Sequence, residues 1–265
     1  MVRLFFLIKF IFTCFFSFNS FKKKNILFFD KDKKYISFSI FTLFKILYFL
    51  SLNKIKLIFN INLRLKFYKS YKKDFEEFKF NSDWFSGAAY HLNNLFLEFD
   101  LYNKSTNILE IGSFEGRSTL FFLKKFKNSK IYCVDPWISY DQNAQYKFEN
   151  IENQFDKNIS IYKDRVIKFK MSSDQFFDQK LNNEIYDIIY VDGDHHFKSV
   201  YKDLINSFEV LKVNGLMIID DFLSYNFYKE NLNENPFGAV IIFLNEHKKN
   251  IKFIKLTNQL VIQKT

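Results

Sequence analysis

The chain has 265 residues, 48% hydrophobic and 26% charged, enough to bury a core of ordinary domain size with room for an appendage. Its 38 Phe and 15 Tyr, against two Pro, six Gly and two Cys, exclude a collagen-like repeat, low-complexity disorder and a disulfide-stapled miniprotein. The net charge of +10 is unevenly placed, because residues 1–80 carry 17 Lys/Arg against 5 Asp/Glu while residues 81–265 carry 22 against 24.

Residues 1–80 read as an N-terminal hydrophobic and basic extension. Residues 4–18 are apolar except for Lys9, Thr13 and Ser17, and Lys22, Lys23 and Lys24 follow. At about 15 residues the run falls short of the roughly 20 needed to span a bilayer, and it lacks the small-residue cleavage site of a signal peptide. A second apolar run, 36–52, carries Lys45 near its middle, where a charge costs about 2.5–3.5 kcal/mol on insertion scales. Over 54–67 the pattern changes to period 2, with Ile55, Leu57, Phe59, Ile61, Leu63, Leu65 and Phe67 on one side, which predicts a half-buried strand. Apolar runs beside basic clusters suit an uncleaved anchor lying on an anionic membrane surface, with the rest of the chain kept cytoplasmic. The alternative is a set of core elements whose Phe and Lys reflect a coding bias, since only four of the 39 basic residues are Arg. Two distant cysteines, Cys14 and Cys133, agree with a reducing compartment.

Residues 81–265 alternate short apolar β runs with amphipathic stretches, the signature of an α/β domain whose mostly parallel sheet is covered by helices on both faces. Strands are predicted at 107–111, 130–134, 166–171, 186–191, 216–220, 251–256 and 259–262, and helices at 116–127, 144–156, 173–180, 198–212 and 237–248. Thr257 and Asn258 make a hairpin-length turn, so the last pair is expected to close the sheet antiparallel.

Ligands in such sheets bind beyond the carboxyl ends of the strands. The first strand ends in Glu110-Ile-Gly112-Ser113-Phe-Glu-Gly116-Arg-Ser118, and a glycine-containing turn into a helix presents N–H groups to an anion. Its spacing is neither the dinucleotide fingerprint nor a Walker loop, so the turn alone fits a nucleotide-type site or an ordinary βα connection. Asp135 closes the second strand, where a carboxylate can accept both hydroxyls of a ribose or cap the following turn. Asp192 ends the fourth strand, and Asp220 and Asp221 the fifth. Three carboxylates on neighbouring strands require a counter-ion, and oxygen ligands suit Mg²⁺; capping and solvation are the alternatives. His195, three residues after Asp192, is placed to take a proton from a substrate hydroxyl, or simply faces solvent. His196, His91 and His247 have no such context.

The motifs ILEIGSFEGRST at 108–119, YCVDPW at 132–137, YDIIYVDGDH at 186–195 and GLMIIDD at 215–221 together resemble class I S-adenosylmethionine-dependent methyltransferases, in particular their small-molecule O-methyltransferase branch. The resemblance runs from about Trp84 to the C-terminus and leaves out residues 1–80. It implies a Rossmann-like seven-stranded sheet over 81–265 and S-adenosylmethionine as cofactor. It also implies that Glu110, Gly112, Ser113, Gly116 and Ser118 line the methionine end, that Asp135 holds the ribose, and that Ser172 and Ser173 form the adenine-side loop. By the same resemblance Asp192, Asp220 and Asp221 are the ligands of Mg²⁺, and His195 stands where sugar O-methyltransferases of similar pattern keep a base. Many metal-dependent relatives have Asp-Asn where this chain has Asp220-Asp221. The segment Trp84-Phe-Ser-Gly87 is similar to the part of such relatives that borders the acceptor pocket; a core Trp is the other reading.

The expected reaction is methyl transfer to a hydroxyl of a small molecule, a sugar or glycan unit by analogy. Alternatives are metal-independent N-methylation, a related hydroxylation, or a catalytically silent, membrane-tethered cofactor-binding module. Nucleic acid is not an expected partner, because the +10 charge sits outside the domain that carries the motifs.

Overall fold

The structure, a computed structural model, describes residues 25–29, 35–39, 46, 48–49, 51–53, 55–56, 59–138, 150–179, 185–222 and 236–265. Its centre is a seven-stranded sheet built from β3 (Asn107–Ile111), β4 (Lys130–Val134), β5 (Val166–Phe169), β6 (Tyr186–Val191), β7 (Leu211–Ile219), β8 (Ile251–Leu256) and β9 (Leu260–Lys264). The strand order is β5-β4-β3-β6-β7-β9-β8. The first five strands run parallel, and β9 is antiparallel to both β7 and β8. This is the mostly parallel α/β sheet that the alternating pattern predicted, in the seven-stranded Rossmann-like form that the resemblance implied. A separate two-stranded antiparallel hairpin, β1 (Asn25–Phe29) with β2 (Tyr35–Ser39), precedes it.

The strands are short apolar runs because both faces are covered, and their period of two sends alternate residues to two cores. Leu109 and Ile111 of β3, Ile189 and Val191 of β6, and Met217 and Ile219 of β7 face α6 (Phe197–Val210) and α7 (Pro236–Glu246) in one core. Ile108, Ile131, Ile188, Tyr190, Leu216 and Ile218 face the other, which contains α1 (Ile61–Asp74), α2 (Ser86–Glu98), α3 (Arg117–Lys125) and α4 (Ile151–Ile159). A short helix, α5 (Ser173–Phe177), follows β5. The chain reverses direction across the sheet between β3 and β6, so their carboxyl ends form the switch point at which such folds bind ligands.

Three expectations are corrected. The alternating stretch 54–67, expected as a strand, runs into α1. Phe67, Tyr71 and Phe75 fall on one face at successive turns, with ring centroids 5.8 and 4.4 Å apart, and pack on α2 and α3. The residues of the alternating pattern that suggested β structure, Ile61, Leu63 and Leu65, are 55–63% exposed. The helical aromatic stripe buries more area than a strand without a neighbour could, so tertiary packing overrides the period-2 signal. Second, α2 was not anticipated. Third, the C-terminal turn takes three residues, 257–259, with Thr257 N–H bonded to the Gln259 carbonyl at 2.8 Å.

The apolar run 4–18 and the lysines at 22–24 lie outside the described residues, as does much of 36–52. No helix among the described residues is long and apolar enough to cross a membrane.

Candidate active site

The β3–α3 turn is shaped by two glycines in the left-handed region, Gly112 at φ 87° and Gly116 at φ 82°. Gly112 is pressed against the end of β6: a Cβ there would lie 2.0 Å from the Asp192 carbonyl oxygen. Its N–H reaches back to Val134 O at 2.9 Å, tying the turn to β4 as well. Gly116 caps α3, and a Cβ on it would meet the Phe155 ring at 3.0 Å.

Glu110 is fully buried beneath this turn. Its Oε2 accepts the hydroxyls of Ser113 at 2.9 Å and Thr119 at 2.5 Å and the Cys133 thiol at 3.5 Å, while Oε1 is buried without a hydrogen-bond partner. Burial raises the Glu110 pKa, and hydroxyls including that of Ser118 oppose the rise. An orphaned carboxylate oxygen in a polar pocket is unusual in a folded chain and marks a place for a donor from outside it.

Asp135 stands one strand over. Its Oδ2 accepts the Phe114 N–H at 2.9 Å and its Oδ1 the Trp137 N–H at 2.6 Å, and the Trp137 indole donates to the Phe114 carbonyl at 2.8 Å. Burial pushes its pKa up, against the pull of those N–H donors. Each carboxylate oxygen keeps a further lone pair for a ligand hydroxyl. Phe114 and Trp137 both hold positive φ, 46° and 48°, which places backbone strain at this corner. Trp84 is 62% exposed, so the core reading fails, and its ring lies 4.9 Å from that of Phe114.

Ser172 and Ser173 are placed by α5. Ser172 is its N-cap, in a reciprocal capping box with Gln175, and Ser173 bonds to Asp203 of α6.

The acidic cluster lies directly across from Gly112. Asp192, His195 and Asp221 each offer a ligand atom, all within 4.8 Å of one another, and His195 Nε2 is 2.9 Å from Asp221 Oδ2. Asp221 holds φ 49°, so its side chain is turned by a left-handed backbone. Asp220 is oriented differently: its Oδ2 accepts the Tyr190 hydroxyl and, at 2.7 Å, the Gln259 amide, and its Oδ1 accepts the Asp221 N–H at 2.7 Å. Of the three strand-end carboxylates, Asp192 and Asp221 meet beside His195, whereas Asp220, expected as a third ligand, is turned to Tyr190 and Gln259. Burial, then the charges of Asp220 and Asp221, hold Asp192 well above the usual carboxylate range. Burial lowers His195, against the neighbouring acids. Two carboxylates meeting beside an imidazole suit a divalent cation.

The other histidines stay outside. His196 pairs with Asp194 at 2.5 Å at the start of α6, and His247 packs on Phe208 and Phe243. Tyr190 and Gln259 were not anticipated. Tyr190 reads as one more apolar strand residue, and Gln259 as a turn residue, until the sheet order brings β9 beside β7.

Residues 109–222 match the model of a methyltransferase domain family. The uncharacterized protein R132 of Acanthamoeba polyphaga mimivirus is 26% identical over 156 residues, 57% of this chain and 68% of the viral one. In fold the chain is similar to a Klebsiella pneumoniae protein assigned as an O-methyltransferase (TM-score 0.53, 13% identity, 70% of this chain and 83% of that one). It is also similar to a Staphylococcus aureus protein assigned as a caffeoyl-CoA O-methyltransferase (TM-score 0.51, 18% identity, 81% and 100%).

Proposed function

We propose that this chain transfers a methyl group from S-adenosylmethionine to a hydroxyl of a small molecule, with a divalent cation beside the acceptor. The observation that carries the reading is the adjacency of two half-sites at the switch point. The turn bearing Gly112 and the orphaned Glu110 oxygen touches, through Asp192, the cluster that offers two carboxylates and an imidazole. The family match over 109–222 and the two fold relatives support a methyltransferase.

The residues divide the work as follows. Glu110 Oε1 and the N–H groups after Gly112 bind the aminoacyl end of the cofactor, and Asp135 accepts the ribose hydroxyls. S-adenosylmethionine supplies a methyl carried on a sulfonium, which any aligned oxygen lone pair can displace, so positioning provides much of the acceleration. Asp192 and Asp221 would hold a cation, Mg²⁺ or another divalent ion, which would supply a lowered pKa to a hydroxyl beside it. His195 would take the proton of the acceptor hydroxyl. Asp221 orients the imidazole: with the proton on Nε2 the ring donates to Asp221 and the accepting lone pair is on Nδ1. Tyr190 and Gln259 fix Asp220 behind this group. The acceptor class, a hydroxylated molecule such as a sugar unit, rests on analogy with O-methyltransferases of similar pattern.

Isothermal titration of S-adenosylmethionine into the purified chain, with Mg²⁺ and again with chelator, tests the reading. One-to-one binding that Asp135→Ala abolishes supports it; no binding to verified folded protein under either condition refutes it.

A further inference from the structure

Residues 79–86, which lead into α2, run along the outside of the β3–α3 turn and are fastened to it from three directions. Glu115, 1% exposed, lies inside the turn between Gly112 and Gly116. Its carboxylate faces away from the sheet: Oε2 accepts the Asn81 N–H at 2.8 Å and the Ser82 N–H at 3.5 Å, and Oε1 accepts the Asn81 side-chain amide at 2.5 Å. Asn158 of α4, 3% exposed, accepts the Lys79 N–H at 3.2 Å and donates to both the Lys79 carbonyl at 2.8 Å and the Glu115 carbonyl at 2.9 Å. Arg117, the first residue of α3, lies over the Phe80 ring at 3.9 Å, 3.5 Å from Asp83 and 3.3 Å from the Ser86 hydroxyl. Beyond these ties Trp84 packs on Phe114, the residue whose N–H is held by Asp135.

A buried carboxylate is costly unless its lone pairs are met by donors, and Glu115 meets them with backbone N–H groups of a distant segment. The segment has no regular secondary structure before Ser86, and Asn81, Asp83 and Trp84 are exposed. Buried Phe85 anchors the end next to α2, while residues 79–82 are held by Glu115 and Asn158, so the order of that part and the geometry of the turn depend on each other.

We propose that Glu115 is a positioning residue that couples cofactor occupancy to the order of residues 79–86. When the turn is filled, its main chain is held, Glu115 with it, and the strap carrying Trp84 is fixed at the rim of the site. When the turn is empty, the strap opens more often. The inference rests on the cofactor placement proposed above.

Hydrogen exchange of the full chain, read at the Asn81 and Ser82 amides with and without saturating S-adenosylhomocysteine, tests it. The expected result is exchange slowed about tenfold or more on binding in the wild type. In Glu115→Gln, which leaves one acceptor oxygen for three donors, that protection is largely lost, and in Asn81→Ala, which keeps the main-chain bonds to Glu115 but loses the side-chain one, it is weakened, while calorimetry still shows S-adenosylhomocysteine binding. Asn81 is exposed, so its variant remains informative even if Glu115→Gln folds poorly. Binding to the wild type with unchanged exchange at 81–82, or full protection retained in Asn81→Ala, overturns the coupling and leaves the cofactor assignment standing. No binding to the folded wild type overturns both.

Discussion

Gly112→Ala tests the geometry of the switch point directly, because the structure states what a methyl group there would meet. The new Cβ would lie 2.0 Å from the Asp192 carbonyl oxygen, 2.6 Å from its carbon and 2.9 Å from Gly193 Cα, all main-chain atoms that cannot rotate aside. Relief requires the turn to move off the end of β6, which breaks the Asp192 N–H bond to the Ile111 carbonyl, 2.8 Å in the wild type. A left-handed φ of 87° for an L-residue costs about 1–2 kcal/mol, overpacking about 1–3, and the lost hydrogen bond about 1, for a total of about 3–6 kcal/mol. For a domain of this size each kcal/mol moves the melting temperature by about 2–4 °C, so a fall of about 6–24 °C is expected. Gly87→Ala is the matched control. It lies early in α2 with nothing within 4 Å of its added Cβ, and alanine there should stabilise by up to about 1 kcal/mol. Thermal unfolding followed by circular dichroism, together with S-adenosylhomocysteine titration, measures both. If Gly112→Ala melts within about 2 °C of the wild type, the close approach of turn and strand is wrong, and with it the adjacency on which the proposed site depends.

Three further outcomes follow from particular groups. Burial raises Asp203 to about 7, so the folded state binds its proton more tightly than the unfolded state, whose carboxyl has a pKa near 3.9. Stability therefore falls as pH rises from about 4 to 7, by on the order of 4 kcal/mol at most, and Asp203→Asn should flatten that slope and melt higher than the wild type at pH 8; an unchanged slope refutes the assignment. His195→Ala should lower turnover on any hydroxyl acceptor by about 10²–10⁴ while leaving cofactor affinity within about twofold, and equal loss of both would remove the base role. If the +12 charge over residues 1–80 serves a membrane surface, the full chain should sediment with phosphatidylserine vesicles at about 0.1 M salt and release at about 0.5 M; equal binding to neutral vesicles would sink the electrostatic reading.

The sheet was readable from the chain because each strand's identity is local. NILEI at 107–111, KIYCV at 130–134 and YDIIYV at 186–191 are apolar runs bounded by turn residues, and all three strands begin and end where the pattern places them. The strand-end residues were readable for the same reason: Gly112, Asp135, Asp192 and Asp220 sit where apolar runs stop. What the sequence could not rank was competition between periods. In 54–67 alternating apolar residues outnumbered the helical stripe of Phe67, Tyr71 and Phe75, and only the presence of α2 and α3 beside that stripe decides for the helix. Nor could it assign partners across long separations. Glu115 binds Asn81 34 residues earlier, Tyr190 reaches Asp220 30 residues later, and Gln259 joins them from the final strand. The sequence alone determined which carboxylates stand at the strand ends, since backbone periodicity is written in adjacent residues. Which of them point together, with His195 and Asp221 beside Asp192 and with Asp220 turned to Tyr190 and Gln259, was decided by strand order and by the left-handed backbone at Asp221, which exist only once the sheet has assembled.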